Sequence, residues 1–509
     1  MRVWSHGYNV EVPYTYGYYK ETSPLWIKWA TYLGGRKPPK DEKIRVLELG
    51  CGQGYNLCMH ASAFPNAEFL GIDFNPSHIS HAEELTELTG LKNIKFIEGD
   101  FVELKNNFPK EYGKFHYVIL HGIWTWISKN VRQAVVEILR EVVLPGGLVY
   151  LSYNCQPGWL VGSIIREVLS NYYRMTQKPV LQAIEEGFNI LKSMEEMNAL
   201  VFRALPQLKN RLETVTKQDR NYIVHEFMHE AHKIFWVYEV IEEVMPAKLY
   251  YAASANLTDN YLPALLPENM RNFINSFPHP VFRLFLIDLF INQAFRRDIY
   301  QKGELRPFQI EQIQEIKNVK LICKEEPPKE FKFQIGIGEV EGKREIYEPI
   351  MEELSKGERT IDQLLKAEKT KNIGIAPLVQ ALTMLLSKDL ISLFNENNDI
   401  SYTQSFNQSI AKLVCQGRPY NFLVSPITGI GFPVSNLEMI MLNLLSEGLY
   451  TVEQLSSGTL YWLKQQGRSL LKDGKPIENP KDEAEHMMEL SKEFYEKRLP
   501  KLRSLKVIP

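Results

Sequence analysis

Cysteine is scarce in this chain of 509 residues, with five in all: Cys51, Cys58, Cys155, Cys323 and Cys415. The number is odd, the spacings are wide and no CxxC pair occurs. Neither a disulfide framework nor a four-cysteine zinc site fits, and reduced thiols in a cytoplasmic protein are expected. Long apolar runs are also missing. The longest, FRLFLIDLFI, is too short to cross a bilayer and contains Asp288. No apolar stretch of signal-peptide length opens the chain, so it is expected to stay in the compartment where it is made. Charge of one sign is absent too: 59 Lys and Arg stand against 61 Asp and Glu, a net charge of −2. That balance gives no general pull toward nucleic acid or anionic lipid, and no nucleic-acid partner is expected. Internal repeats and low-complexity tracts do not occur.

What remains is an ordinary globular composition, long enough for three or four domains at about 100–200 residues each. Residues 1–40 form an aromatic arm, read as an extended segment followed by a helix over about 24–33. From residue 44 apolar strands alternate with helices. IRVLEL runs into Gly-Cys-Gly-Gln-Gly and a helix; AEFLGID, IKFIEGD, FHYVILHG and LVYLSYN follow, with SHISHAEELTELTG closed by Gly90 and VRQAVVEILREVV stopped by a Pro-Gly-Gly turn at 145–147. Strands of this kind at this pace imply a parallel sheet covered on both faces, an α/β core over 41–160. Residues 158–250 read as helical throughout. Within them 182–212 forms one long amphipathic stretch, either a packing helix or a dimerisation element that would make a homodimer. An insertion over 161–225 and a segment over 226–305 are set apart on this basis. The latter returns to the sheet with strands near 247–257 and 295–303. A middle unit over 306–400 pairs NVKLIC with FKFQIGIG as a hairpin beside three short helices, a winged-helix-like pattern read as structural rather than DNA-binding. Residues 401–509 read as helical with a loop at SPITGIGFP.

The block that carries chemistry is Glu48-Leu49-Gly50-Cys51-Gly52-Gln53-Gly54. Glycines supply tight-turn dihedrals and let a ligand approach the backbone. A loop between strand and helix opens at the carboxyl end of the sheet, where open α/β sheets bind ligands. Asp73 ends the next strand, 19 residues after Gly54, with Phe74 beside it; a carboxylate there can take two ribose hydroxyls. Asp100 ends the third strand and can accept from an adenine amino group, and Phe101 can stack on the ring. A nicotinamide enzyme shares the glycine turn and the ribose acid. Three details favour S-adenosylmethionine (AdoMet), with S-adenosylhomocysteine (AdoHcy) as product. The spacing is GxGxG, Glu48 stands ready for a methionyl amine, and Gly99-Asp100 follows strand three. No metal is expected for this chemistry.

With Glu48 the resemblance becomes specific: residues 44–154 resemble the class I methyltransferase core, with His121 on the fourth strand. PLWIKWATYLG, SYNCQPGW and HEFMHEAHKIFWVYEVIEE through FRRDIYQKG resemble bacterial methyltransferases that carry a methyltransferase regulatory domain. Over nearly its full length the chain is similar to rickettsial protein lysine methyltransferases acting on outer membrane protein B. That resemblance implies a Rossmann-like core with a mixed seven-stranded sheet, a helical insertion, and mainly helical C-terminal domains. It also implies a large protein substrate with exposed lysines. A lysine acceptor must be neutral to attack, which costs about 4 kcal/mol near pH 7.4 for an amine of pKa about 10.4, and a desolvated aromatic pocket lowers that cost. The aromatics placed to form one are Trp124 and Trp126 after the fourth strand, Tyr153 and Trp159 after the fifth, and Tyr14, Tyr16, Tyr18 and Tyr19 as an N-terminal lid. His121 can orient the donor and Asn154 can hold the acceptor amine. The Asn/Asp-Pro-Pro-Tyr/Phe signature of amide methylation is replaced by HGIWTW. No Pro-Cys nucleophile occurs either, because Cys155 precedes Gln156 and Pro157, and these residues leave a simple amine, hydroxyl or carboxyl acceptor open. Residues 306–509 are expected to dock the large substrate.

One motif competes. His225-Glu226-Phe227-Met228-His229 is an HExxH, which on a helix would place two histidines on one face for zinc with Glu226 as general base of a metallopeptidase. His232 lies one further turn along. Glu239, Glu242 and Glu243 could supply a third ligand only if the chain turned back, and no break is read before them. A third reading is a regulatory protein that binds AdoMet without catalysis.

Overall fold

The computed structural model describes residues 16–40, 43–396, 399–472 and 474–508. A helix α1 (Pro24–Leu33) precedes a seven-stranded sheet. Its first half is laid down as β1 (Arg45–Leu49), α2 (Tyr55–Ala63), β2 (Glu68–Asp73), α3 (Pro76–Thr89), β3 (Ile94–Glu98), α4 (Phe101–Asn107), β4 (Phe115–Leu120), α5 (Lys129–Val142) and β5 (Val143–Asn154). The order across the sheet is β3-β2-β1-β4-β5-β7-β6. Strands β1 to β5 run parallel, and β7 (Phe295–Lys302) lies antiparallel between β5 and β6 (Leu249–Ser254). This is the mixed Rossmann-like sheet that the resemblance implied.

Alternation along each strand feeds two cores. Leu47, Val118, Val149 and Leu151 enter the face packed by α5, whereas Val46, Tyr117, Ile119 and Tyr150 enter the other. That second face is continuous with the apolar interior of the C-terminal half, from Leu321 to Val507. The chain past residue 306 is therefore built onto the sheet rather than tethered to it.

Local chemistry explains the element ends. The Asn75 side chain caps α3 by accepting from the Ser77 N–H at 3.0 Å, and Gly90 closes it in the left-handed region at φ 72°. Helix α5 stops at Val142, before the Pro-Gly-Gly run; residues 145–147 instead lie inside β5, whose pairing with β4 shifts register between Phe115 and Tyr117.

Four further expectations are corrected. The stretch 182–212 is not one helix. It forms α7 (Val180–Glu196), α8 (Leu200–Ala204) and α9 (Gln207–Val215), interrupted at Asn198 with φ 55° and at Pro206, whose ring cannot continue a helix. With α6 (Leu160–Thr176) and α10 (Arg220–Phe227) these enclose a satellite core of their own. The HEFMH stretch is not followed by continuous helix either: α10 ends at Phe227, and the chain runs irregularly to α11 (Val237–Val244). NVKLIC and FKFQIGIG do not pair. Lys320–Cys323 sits between Arg359–Thr360 and Ile391–Leu393, while Phe331–Ile335 forms a hairpin with Gly338–Gly342. SPITGIGFP is no loop but the turn and second strand of a hairpin, Phe422–Ser425 with Ile430–Pro433.

Candidate donor and acceptor site

The glycine loop turns sharply at the carboxyl end of β1. Gly50, Gly52 and Gly54 all adopt left-handed φ, at 75°, 53° and 76°. A side chain at Gly50 would strike Ile123, and one at Gly54 would strike Ala82 and Phe96. The turn is held from β2: the Gly50 and Cys51 amides donate to the Ile72 carbonyl at 2.7 and 3.1 Å, and the Gly52 amide donates to Asp73 Oδ2 at 2.9 Å. Asp73 Oδ1 accepts from the Asn75 N–H at 2.9 Å and lies 3.2 Å from His78 Nδ1. The ribose acid of the sequence is thus also the brace of the loop.

Glu48 lies on β1 below this turn and is buried. Its Oε1 accepts from Asn56 Nδ2 at 3.3 Å, but its Oε2, shielded from solvent, has no hydrogen-bond partner among the described residues. Burial pushes its carboxyl up to about 8, against the Asn56 hydrogen bond. A buried acceptor without a donor is costly, and a cationic amine would satisfy it. Such an acceptor suits the methionyl amine of AdoMet, so the residues present fit that molecule. Cys51 and Gln53, between the glycines, are buried, and burial raises the Cys51 thiol well above its usual range. Phe74 is half-buried beside Asp73. Asp100 caps α4, its Oδ1 accepting from the Val102 N–H at 2.7 Å. Phe101 is buried in the core on the α5 side rather than presented beside Asp100.

The N-terminal aromatic segment crosses over the loop. Tyr19 is anchored by its amide, which donates to Asn56 Oδ1 at 3.1 Å, and its ring lies 3.6 Å from that of His121. Tyr16 packs on His81 and Tyr420, and Tyr18 is inserted against His60 and Phe422. Of the four lid tyrosines Tyr19 alone faces His121 among the described residues, and Tyr14 lies outside them. His121 Nδ1 is 3.0 Å from the Tyr150 hydroxyl, and burial lowers its pKa to about 3, so the ring is neutral.

The other acceptor candidates separate. Asn154, at the end of β5, donates through Nδ2 to Glu226 Oε1 at 3.2 Å, and its amide donates to Thr125 Oγ1 at 2.9 Å. Tyr153, one residue earlier, points to the opposite face, where its hydroxyl donates to Asp298 Oδ2 at 2.7 Å. There Arg296 bridges Asp298 and Asp288 in the interior. Trp124 is fully buried. Trp126 packs against His229 and His232, and Trp159 against Phe227 and His232. These four aromatics build walls and core and are not gathered at His121.

The competing motif is dispersed in the same way. His229 lies beyond the end of α10, its ring centroid 5.8 Å from that of His225. The helix does break after the motif, contrary to expectation, but the acids downstream are engaged elsewhere. Glu239 caps α11 through the Trp236 N–H at 2.8 Å and pairs with Lys233, Glu243 pairs with Arg132 at 3.0 Å, and Glu242 is exposed. No group of three possible ligands occurs among the described residues. Sequence reasoning missed the contact between Glu226 and Asn154, whose partners are 72 positions apart.

Comparison with known proteins is consistent with this geometry. Residues 40–231 match a family described as a methyltransferase domain, and residues 219–302 one described as a predicted methyltransferase regulatory domain. The Synechocystis protein sll1526 is 34% identical over 512 aligned residues, covering 99% of both chains. RP789 of Rickettsia prowazekii is 26% identical over 407 residues, 79% of this chain and 68% of that one. Among solved structures, PKMT2 from Rickettsia typhi in complex with AdoHcy superposes with a TM-score of 0.69 at 17% identity, covering 95% of this chain and 99% of that one. The full-length relative and the two domain matches in this order make the chain a member of the AdoMet-dependent methyltransferases that carry a methyltransferase regulatory domain.

Proposed function

We propose that this protein transfers a methyl group from AdoMet to lysine side chains of a large protein, by resemblance a bacterial outer membrane protein. The observation that carries the reading is the buried, unpartnered Glu48 Oε2 under three left-handed glycines. It marks a place for a cationic amine at the end of β1. Bound there, AdoMet supplies an electrophilic methyl on a sulfonium. Glu48 would bind its amine, Asp73 its ribose, and Asp100 its adenine amino group. The orientation of Asp73 is fixed by the Gly52 and Asn75 amides. Holding two reactants aligned and away from water contributes much of the rate in such a displacement. Here Tyr19 and the buried, neutral His121 supply an apolar, hydrogen-bonding wall rather than a proton acceptor at neutral pH. The choice of lysine rests on the family resemblance.

The test is incubation of the protein with isotopically labelled AdoMet and a bacterial outer-membrane protein fraction, followed by acid hydrolysis. Label in methylated lysines is the expected result. Label released by mild base as methanol, or found only in nucleic acid, would replace lysine with another acceptor.

A further inference from the structure

We propose that Glu226, the acid of the HEFMH motif, is the residue that binds the acceptor amine and takes its proton. The proposal rests on the lysine reading above and deepens it. Glu226 sits in the last turn of α10, half-buried, with Oε1 fixed by Asn154 Nδ2 at 3.2 Å. Asn154 ends β5, and its backbone is pinned to Thr125 in the segment that follows β4. The Tyr222 side chain, one turn earlier on the same helix, interacts with the carboxylate. Tyr19 lies against His121, the residue that follows β4. Glu226 is thus held through Asn154 at the end of β5, beside the Thr125 segment that follows β4. The glycine loop opens at that same carboxyl end of the sheet, where open α/β sheets bind their ligands.

The charged and titratable groups facing Glu226 are Tyr222 on its own helix and Arg211 on α9. Burial raises its carboxyl pKa, against the Asn154 and Tyr222 hydrogen bonds and the Arg211 charge. A raised value narrows the gap to an amine of pKa about 10.4, which makes the proton transfer less uphill. The amide of Asn154 orients the carboxylate.

The step balances. A proton moves from the substrate ammonium to the Glu226 carboxylate, leaving a lone pair on the nitrogen. That pair forms the N–CH₃ bond as the S–CH₃ bond breaks, and the bonding pair goes to sulfur. The products are a methylated ammonium, a neutral thioether and Glu226 as the carboxylic acid, with the total charge unchanged. Glu226 then returns its proton to water.

The experiment compares the full-length protein with Glu226→Gln and Glu226→Asp. AdoHcy affinity is measured by calorimetry, and methyl-lysine formation on bulk bacterial protein is measured by hydrolysis and mass spectrometry from pH 6.5 to 10. Glu226→Gln keeps the shape and the contact to Asn154. It should leave AdoHcy affinity within about twofold and lower kcat/KM about a hundredfold at pH 7.5. The defect should shrink toward pH 10, where lysine loses its own proton. Glu226→Asp should fall between the two. A glutamine variant with wild-type rate and pH profile overturns the role of Glu226 and leaves the lysine reading intact. A pH-independent loss in both variants, accompanied by loss of AdoHcy binding, overturns it as a mere structural effect. Wild-type protein that forms no methyl-lysine overturns both, and the wild-type arm alone reports this.

Discussion

Binding of the donor should release a proton, and Glu48 sets the pH at which it does so. In the ligand-free protein the Glu48 carboxyl is pushed up to about 8 by burial, so at pH 6 it is almost wholly neutral. The amine of AdoHcy carries its own proton below an α-amino pKa of about 7.8. The bound pair is ionic, carboxylate against ammonium, so affinity follows the product of the two fractions already in those forms. Taking about 8 for Glu48 and about 7.8 for the amine, that product rises about 20-fold from pH 6 to pH 8 and falls about fourfold by pH 9. Near pH 6.5 about one proton should leave per AdoHcy bound. Calorimetry in two buffers of different ionisation enthalpy measures that number directly. Glu48→Gln should show no proton release and no rise between pH 6 and 7. At pH 8 it should bind about tenfold to 150-fold more weakly, the equivalent of about 1.5–3 kcal/mol for a hydrogen bond to a charged group. A wild-type affinity that is constant from pH 6 to 8, with no proton released, would refute the assignment of the buried oxygen to the amine.

Gly52→Arg should abolish AdoHcy binding, since the residue stands at φ 53° and lends its backbone to the turn. Its conformational cost of about 1–2 kcal/mol leaves the fold largely intact, and circular dichroism should show this. Arg296→Met strands two buried carboxylates, Asp288 and Asp298. Urea unfolding should register a loss of about 3–5 kcal/mol, and a loss under 1 kcal/mol would show that the network carries no such energy. Tyr420→Phe keeps the ring stacked on Tyr55 at 4.7 Å but removes the hydroxyl 2.9 Å from His81 Nε2. AdoHcy affinity should fall about two- to tenfold, the worth of one net hydrogen bond, and no change would sever Tyr420 from the loop. Deleting residues 306–509 should abolish AdoHcy binding together with methylation, whereas a truncated protein that binds AdoHcy at full strength would restore the separate docking domain.

The sheet was legible because its signals are local. Apolar strands of five or six residues, the glycine turn after Leu49 and the left-handed stop at Gly90 each act within a few positions. Long-range placement was not legible in the same way. Tyr153 and Asn154 are adjacent in sequence, yet the pleat sends one to Asp298 and the other to Glu226. Residue types alone gave both to the acceptor. HEFMH matched a zinc pattern because the pattern assumes a helix through its second histidine, and α10 ends two residues too soon. Its place after Asp100 suggests an adenine-stacking role for Phe101, but the helix that Asp100 caps leaves it in the core. NVKLIC and FKFQIGIG resemble a hairpin because they are near in sequence, whereas the paired residues of the first strand's partners lie at least 38 and 68 positions further on.

One sign of the larger architecture is present in the sequence. The helix after the glycine loop, YNLCMHASA, contains no Lys, Arg, Asp or Glu. A helix that covers a sheet normally keeps a charged face for water, and one without it must be covered on its outer side. All nine residues of α2 are in fact buried. The covering layer is the C-terminal hairpin and the helix before it: the Tyr55 hydroxyl donates to the Phe422 carbonyl at 2.7 Å, and Thr403 Oγ1 donates to the Ser62 carbonyl at 2.9 Å. From α3, His81 spans the junction, with Nδ1 2.8 Å from the Gln53 carbonyl inside the glycine loop and Nε2 at Tyr420. Arg418 and Glu84 pair across the same junction at 2.9 Å. The C-terminal half is therefore the outer wall of the glycine loop, which is braced from both sides, by Asp73 from the sheet and through His81 by Tyr420, 339 positions beyond that histidine.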